Sequence, residues 1–395
     1  MDWAKYRAWV AARQGLLDGR YGSAREALAE AGWQRSVGGT SPYLGIRARS
    51  GEGRAQVDAL AASLELFELP SARGCTYVLP AAHFAIGLAA GRPFASTTEL
   101  ATARKLGVED AEIEALKEAI VCALADGALS PAELKTALGD AVRNLGEAGK
   151  KKGLTTTLPV ALGLLQSAGR IRRKPANGRL DTQRYDYEVW QPPLGALLTE
   201  EEAAAELARL YFKWAGAATL KEFRDFSAFT ARLAHPACER AGLVSFGHAS
   251  DLTSLPDAPD DFAEFKPPPE PVYRLVGSLD NLTLLRRGCS FWLDEADSVR
   301  HVPTDKGTQS ASELSELWSH AILDRGRLVG VWEYDAEANE IAWSAWRPVD
   351  AALRAAVAAT EAFVRDELGD ARSFSLDSPA SRRPRLQAIR AMARA

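Results

Sequence analysis

The sequence predicts an α+β protein in which tandem winged-helix domains are followed by a small C-terminal β-barrel-like domain. Three observations lead to this prediction. Helix-start signals recur before residue 255, a basic segment coincides with a predicted helix and hairpin, and alternating strand patterns appear only after a Pro-rich linker. The composition of the 395 residues, 47% hydrophobic and 25% charged, is typical of a globular protein.

The first predicted unit, winged-helix-like, covers residues 1–107. Its opening stretch, "WAKYRAWVAARQGLL", has apolar residues at the spacing of one helix face: Trp3, Tyr6, Val10 and Leu17. A second helix is predicted at "SAREALAEAG", because Ser23 and Glu26 have the spacing of a capping box.

The second predicted unit, residues 108–192, has the complete order of a winged helix. Two helices are predicted at "EDAEIEALKEAIVCALADG" and "SPAELKTALGDA", the latter with Ser130 as N-cap and Glu133 closing a capping box. A third helix is predicted at "TTTLPVALGLLQSAG", followed by a hairpin of "RIRRK", the turn "PANG" and "RLDTQRYDYEVW". In such folds the third helix enters the major groove of DNA and the hairpin contacts the backbone.

A third winged-helix-like unit is predicted over residues 193–255, with capping boxes at Thr199 with Glu202 and at Thr219 with Glu222. Residues 256–271 form a linker rich in Pro and Asp. The C-terminal domain, 272–395, begins with strand patterns at "PVYRLVG", "HAILDRGRLVGVWEYD" and "EIAWSAW" and continues with the amphipathic helix "DAALRAAVAATEAFVRDELG".

Charge is distributed unevenly along the chain. The formal net charge is −4, yet residues 143–184 hold ten basic residues against two acids, which leaves −12 on the rest. Clustered basic residues indicate a phosphate-backbone partner, and the alternative is a solvated loop. Because the cluster coincides with the predicted third helix and hairpin, we predict contact with double-stranded DNA through Lys150, Lys151, Lys152, Thr155, Thr156, Arg170, Arg172, Arg173, Lys174 and Arg179.

Several segments, in order, resemble the AlkZ/YcaQ-type (AlkZ-like, crosslink-repair) winged-helix DNA glycosylases. They are "RGCTYVLPAAHF" (73–84), "LYFKWAGAATLKEFRDFS" (210–227), "GSLDNLTLLRR" (277–287) and "DRGRLVGVWEYD" (324–335). The resemblance implies hydrolysis of the N-glycosidic bond of alkylated or bulky-adduct purines in DNA. Such a reaction needs a positioned water and stabilisation of a sugar with oxocarbenium character.

The resemblance also implies a catalytic Gln-x-Gln or Gln-x-Asp motif in the first unit, and here the sequence differs. Its nearest counterpart is Gln34-Arg35-Ser36, or Ser36 and Gly38 if the alignment is shifted, and Tyr77 stands where the family has His. We therefore name Gln34 and Ser36 as candidate catalytic residues, with Tyr43 and Tyr77 next. Two functions stay open: a monofunctional glycosylase, or a non-catalytic DNA-binding protein such as a regulator or lesion sensor.

Other chemistries find little support in the sequence. The four cysteines have no CxxC spacing and the five histidines are scattered, so we predict no metal site, no disulfide framework and no cofactor. We interpret His248 as an ordinary loop histidine. No apolar run of 18 residues and no signal peptide is apparent, and we predict a cytoplasmic monomer.

Overall fold

A computed structural model describes residues 1–17, 19, 21–190, 198–247 and 251–394. The predicted boundary between residues 192 and 193 and the side chain of His248 lie outside these described residues. Helices and antiparallel strands are mixed along the chain, which confirms the α+β class.

In its described part, the N-terminal region combines six α-helices with a three-stranded antiparallel sheet of order β1-β3-β2. The predicted first helix ends at Arg13, before Gly15 adopts a positive φ of 67°, so Leu17 lies beyond it. Ser23 caps the second helix as predicted, although Glu26 reaches the amide of Gly22. The elements are α1 (Trp3–Arg13), α2 (Ala24–Glu30), β1 (Gln34–Arg35), α3 (Ser41–Ser50), α4 (Arg54–Ala62), β2 (Leu66–Pro70), β3 (Thr76–Pro80), α5 (Phe84–Gly91) and α6 (Thr97–Lys105).

The next region has the predicted order of helices followed by a hairpin. The capping box is present, with Ser130 Oγ accepting from the amide of Glu133 and the Glu133 carboxylate accepting from the amide of Ser130. A short helix that the sequence did not predict precedes the third one and ends at Lys150. The elements are α7 (Asp110–Ala123), α8 (Pro131–Leu138), α9 (Gly146–Lys150), α10 (Leu158–Ser167), β4 (Ile171–Pro175) and β5 (Tyr185–Val189).

In the region from residue 198 to 254, the first two helices begin with capping boxes at Thr199 and Thr219, as the sequence predicts. Its short strands pair in the order β6-β8-β7. The elements are α11 (Glu200–Ala215), β6 (Ala217–Ala218), α12 (Leu220–Ser227), α13 (Ala231–Arg240), β7 (Val244–Ser245) and β8 (Thr253–Ser254).

The C-terminal region contains the predicted strands, but those described form an open sheet of order β14-β13-β12-β9 and no closed barrel. One face of this sheet packs against helices, because Leu44 of the N-terminal region and Leu353 share one apolar core with Trp332. The predicted linker contains a helix of its own, α14. The elements are α14 (Ala258–Glu264), β9 (Tyr273–Val276), α15 (Asn281–Leu285), β10 (His301–Thr304), β11 (Gly307–Ser310), β12 (His320–Asp324), β13 (Arg327–Asp335), β14 (Glu340–Ala345), α16 (Ala351–Phe363) and α17 (Pro379–Met392).

A buried ion pair joins the N-terminal region to the C-terminal region. The guanidinium of Arg49, at the end of α3, donates to both carboxylate oxygens of Asp280 at 2.7 and 2.8 Å, and both side chains are at most 1% exposed. Arg49 also donates to the carbonyl of Gly45 and to Gln14 Oε1. Asp280 in turn caps α15 by accepting from the amide of Leu282.

We predict that Asp280→Asn destabilises the protein strongly, because it leaves the Arg49 charge buried without its counter-ion. Loss of one partner from a buried pair costs about 3–5 kcal/mol in the free energy of unfolding, measurable by urea denaturation. Asp110→Asn is the matched control, since it removes one member of the exposed Arg104–Asp110 pair and should change stability little. Equal effects of the two substitutions would contradict the prediction.

A second buried polar contact fixes the C-terminal sheet. His320 accepts from the amide of Ser278 at Nδ1, donates from Nε2 to the carbonyl of Ala371, and lies over the ring of Trp332. Burial, with smaller effects from Arg382 and Arg385, lowers the pKa of the His320 imidazole to about 3. The folded protein therefore holds this imidazole neutral.

This histidine predicts a loss of stability in mild acid. The imidazole of His320 has a pKa of about 6.5 in the unfolded chain, and between this pH and about 3 only the unfolded chain binds the proton. The free energy of unfolding therefore falls as the pH is lowered, by up to about 1.4 kcal/mol per pH unit over this range. Urea denaturation at pH 7, 6 and 5 should show a shallower decline for His320→Gln than for wild type. The exposed His301, replaced by Gln, serves as control and should retain the wild-type decline. Parallel declines for all three proteins would refute this.

Candidate active site

A cleft of about 440 Å³ opens where three distant segments meet. These segments are the end of β1, the hairpin of β4 and β5, and the loop before α17. The residues lining the cleft are mostly polar: Ser36, Val37, Gly38, Thr76, Arg173, Thr182, Gln183, Tyr185 and Ser375.

The two glycines after β1 allow the backbones around the cleft to approach closely. A Cβ at Gly39 would overlap the backbone carbonyl of Ser373, and Gly38 has a φ of +72°. The Arg372 guanidinium bridges the segments by donating to the carbonyls of Gly38 (3.1 Å) and Asp181 (2.6 Å). The "GG" in the sequence therefore serves to close the cleft wall against the C-terminal loop.

Ser36 lies in the cleft wall and contacts a carboxylate that the sequence did not suggest. Its hydroxyl donates to Glu68 Oε1 at 2.5 Å. Glu68 belongs to β2, and the register of the sheet places it level with Val78 of β3 and Gln34 of β1. Its side chain is 4% exposed. The only sequence signal was a single acid within the apolar strand "LFELP", which alone does not indicate a site.

Arg173 and Tyr185 surround this carboxylate on the hairpin side. Arg173 Nη2 lies 3.8 Å from Glu68 Oε2 and donates to Thr76 Oγ1 at 3.3 Å, and its guanidinium stacks over the Tyr185 ring. The Tyr185 hydroxyl lies 3.5 Å from Glu68 Oε1. Burial, and next the charge of Glu68, raise the pKa of Tyr185, so this phenol stays protonated at neutral pH and can donate. The hairpin thus brings a cation and a hydroxyl donor to the cleft.

Gln34 lies behind the cleft. Its side chain is fully buried against Gly45 of α3, where an added Cβ would overlap the Gln34 amide. Neither amide atom of Gln34 has a hydrogen-bond partner among the described residues. Gln34 lies in β1 and Ser36 follows the strand directly, but only Ser36 lines the cleft.

The two candidate tyrosines lie in the protein interior. Tyr43 donates to Asp58 Oδ1 at 2.5 Å and accepts from the amide of Leu180, which ties the hairpin loop to α3. Tyr77 packs in an apolar core against Trp33 and Phe226. Burial raises the pKa of both phenols. Since neither side chain lines the cleft, we assign both a structural position and give neither a catalytic role.

The residues predicted to bind DNA fall into two groups. The exposed group lies at the end of α9 and in the loop that follows: Lys150, Lys151, Lys152, Thr155 and, half-buried, Thr156. Of these, Lys150 has an acid nearby, since its Nζ lies 3.8 Å from Glu147 Oε1 in an exposed pair. The second group is paired with acids: Arg170 with Glu118, Arg172 and Lys174 with Glu188, Arg173 with Glu68, and Arg179 with Asp181. Glu68, Glu118 and Glu188 lie outside residues 143–184, so the net charge of that segment did not include them. Less of its positive charge is therefore available to a ligand than the sequence suggested.

The chain belongs to the AlkZ-like DNA glycosylase family, since residues 6–371 match the family described as "DNA glycosylase AlkZ-like". Among solved structures, the fold is similar to that of Streptomyces sahachiroi DNA glycosylase AlkZ, with a TM-score of 0.68 and 20% sequence identity over 94% of this chain and 98% of that one. No curated protein matches the sequence. The family membership confirms the resemblance that the four segments indicated.

Two further properties of the described residues concern membranes and metals. None of their helices has the length and apolar character needed to cross a membrane. Their His, Cys, Asp and Glu side chains form no group of three or more that could hold a metal ion.

Proposed function

We propose that this protein is a monofunctional DNA glycosylase that hydrolyses the N-glycosidic bond of alkylated or bulky-adduct purines in duplex DNA. One observation carries the proposal: a chain of this family has a polar cleft at the end of β1, where the resemblance implies the water-holding groups. The non-catalytic alternative rests on the missing Gln-x-Gln or Gln-x-Asp motif and is not better supported by the described residues.

The chemistry suits the side chains of the cleft. A purine alkylated at N7 is already cationic, so it leaves with the electron pair of the C1′–N9 bond and needs no strong general acid. The enzyme has to place a water and stabilise a positively charged sugar. Ser36 and Tyr185 offer hydroxyl groups for hydrogen bonds there, and the proposed reaction uses only the side chains of this chain and water.

We propose further that residues 108–192 act as a winged helix, between winged-helix-like units at 1–107 and 193–255. The contact with DNA is assigned mainly to the lysine turn, Lys150 to Lys152. The third helix, α10, offers little to a major groove, because it carries no charged side chain and its only polar side chains are Gln166 and Ser167 at its C-terminal end. A location in the cytoplasm as a monomer completes the proposal.

The lysine turn yields a prediction about binding. Changing Lys150, Lys151 and Lys152 together to Glu should weaken duplex binding by at least tenfold at moderate salt, because it replaces phosphate contacts with repulsion. Each lost contact should also make the negative slope of log K against log salt shallower by about 0.9. Fluorescence anisotropy across a salt series measures both quantities. The control changes three exposed lysines outside the basic segment, Lys221, Lys266 and Lys306, to Glu. If both triple variants bind alike, the turn does not contact DNA.

The reaction itself is tested by release of base. Wild type should free the modified purine from duplexes carrying N7-methylguanine or bulky N7 adducts. The double variant Gln34→Ala/Ser36→Ala should excise about 10²-fold more slowly or worse, the scale of losing a positioned hydrogen-bonding group, while binding stays nearly intact.

Gln309→Ala/Ser315→Ala, at exposed positions of the C-terminal region, is the matched control and should behave as wild type. If wild type releases no base from any of these lesions but still binds duplex DNA, the non-catalytic alternative replaces the proposal.

A further inference from the structure

We propose that Glu68 is the positioning residue of this site and that it activates the attacking water through the Ser36 hydroxyl. This inference rests on the proposed glycosylase function. It assigns the carboxylate that the segment Gln34-Arg35-Ser36 lacks to β2, which lies on the far side of β3 in the same sheet.

The direction of one hydrogen bond carries the first step. A serine hydroxyl has a single proton and two lone pairs. Ser36 directs its proton to Glu68 Oε1 at 2.5 Å, so its lone pairs remain for a donor on the cleft side. A water in the cleft can therefore donate to Ser36 Oγ, which leaves a lone pair of that water free to attack C1′ of the damaged nucleotide.

The surroundings of Glu68 carry the second step. Its Oε2 is buried and has no hydrogen-bond partner among the described residues, and the nearest cation, Arg173, stands 3.8 Å away and donates instead to Thr76. A buried carboxylate is costly unless hydrogen bonds or an ion pair compensate its charge. The burial of this incompletely paired carboxylate behind a cleft-lining hydroxyl is the pattern of a functional group.

The reaction balances with these two residues. The water oxygen bonds to C1′ as the C1′–N9 bond breaks, and the electron pair of that bond neutralises the cationic purine, which leaves. A water proton passes to Ser36 Oγ while the Ser36 proton passes to Glu68 Oε1, and the proton is finally released to solvent. The carboxylate charge also stabilises the cationic sugar as it forms.

The decisive variants separate charge from shape. Glu68→Gln keeps the size of the side chain and removes its charge, and should slow single-turnover excision by about 10²- to 10³-fold, with the Kd for lesion-containing duplex unchanged within twofold. Ser36→Ala should lose a similar factor, and the double variant should lose little more than either single one, because residues that act as a unit are non-additive. Glu65→Gln, an acid just before β2 that is paired with Arg25, is the matched control and should retain the wild-type rate.

Rescue provides a readout that a merely structural role would not move. In the Glu68→Gln background, Ser36→Asp places a carboxylate directly on the cleft wall, where the amide at position 68 can donate to it. Excision by this double variant should exceed that of Glu68→Gln by at least tenfold. Should Glu68→Gln fail to fold, Ser36→Ala still decides the matter, because it leaves Glu68 in place and an undiminished excision rate would refute the relay.

The outcomes distinguish the two proposals. If wild type releases base and Glu68→Gln does so within threefold, the role of Glu68 is refuted and the glycosylase function stands. Additive losses, or no gain from Ser36→Asp, also refute it. If wild type releases no base, the glycosylase function fails, and the role of Glu68 fails with it.

Discussion

The buried ion pair between Arg49 and Asp280 is the constraint on which the arrangement of the site depends. Both side chains are removed from water, and a buried ion pair compensates for this desolvation only if its geometry is accurate. The pair joins α3 to the start of α15, 231 residues further along the chain. Since α3 begins directly after the glycine turn of the cleft, fixing its far end also fixes the cleft wall. The N-terminal and C-terminal regions thus form one packed body, with a shared apolar core beside the pair.

The cleft itself results from close contact between backbones. Gly38 and Gly39 let the loop at residues 372–375 lie against the end of β1, and Arg372 ties that loop to both the first region and the hairpin. Tyr43 performs a similar task from the inside, since its hydroxyl holds the amide of Leu180. A polar residue that the sequence suggests as catalytic, such as Tyr43, can therefore be one that holds the cleft wall in place.

The basic segment contains cations that are paired with acids and cations that are not. Arg172 and Arg179 pair with acids and contribute to the hairpin and its loop, whereas Lys151 and Lys152 make no ion pair with any residue in the described part of the chain. Arg173 differs from the other paired residues, because its acid, Glu68, lies behind the cleft and its guanidinium stacks on Tyr185. A count of basic residues does not reveal this division, since the partners lie on other elements.

The sequence alone determined what depends on near neighbours. The capping boxes at Ser130, Thr199 and Thr219 form between residues three apart, so they were readable without the fold, as were the hairpin and the C-terminal strands. The order of short family-like segments identified the family, which the match over residues 6–371 confirms.

Only the tertiary structure decided which side chains share the cleft and whether the sheet closes. Ser36, at the end of β1, meets Glu68 of β2 because β3 holds the two strands in register, and the C-terminal sheet is left open with helices packed on both faces. Both results come from contacts between residues far apart in the chain, and local spacing does not encode such contacts.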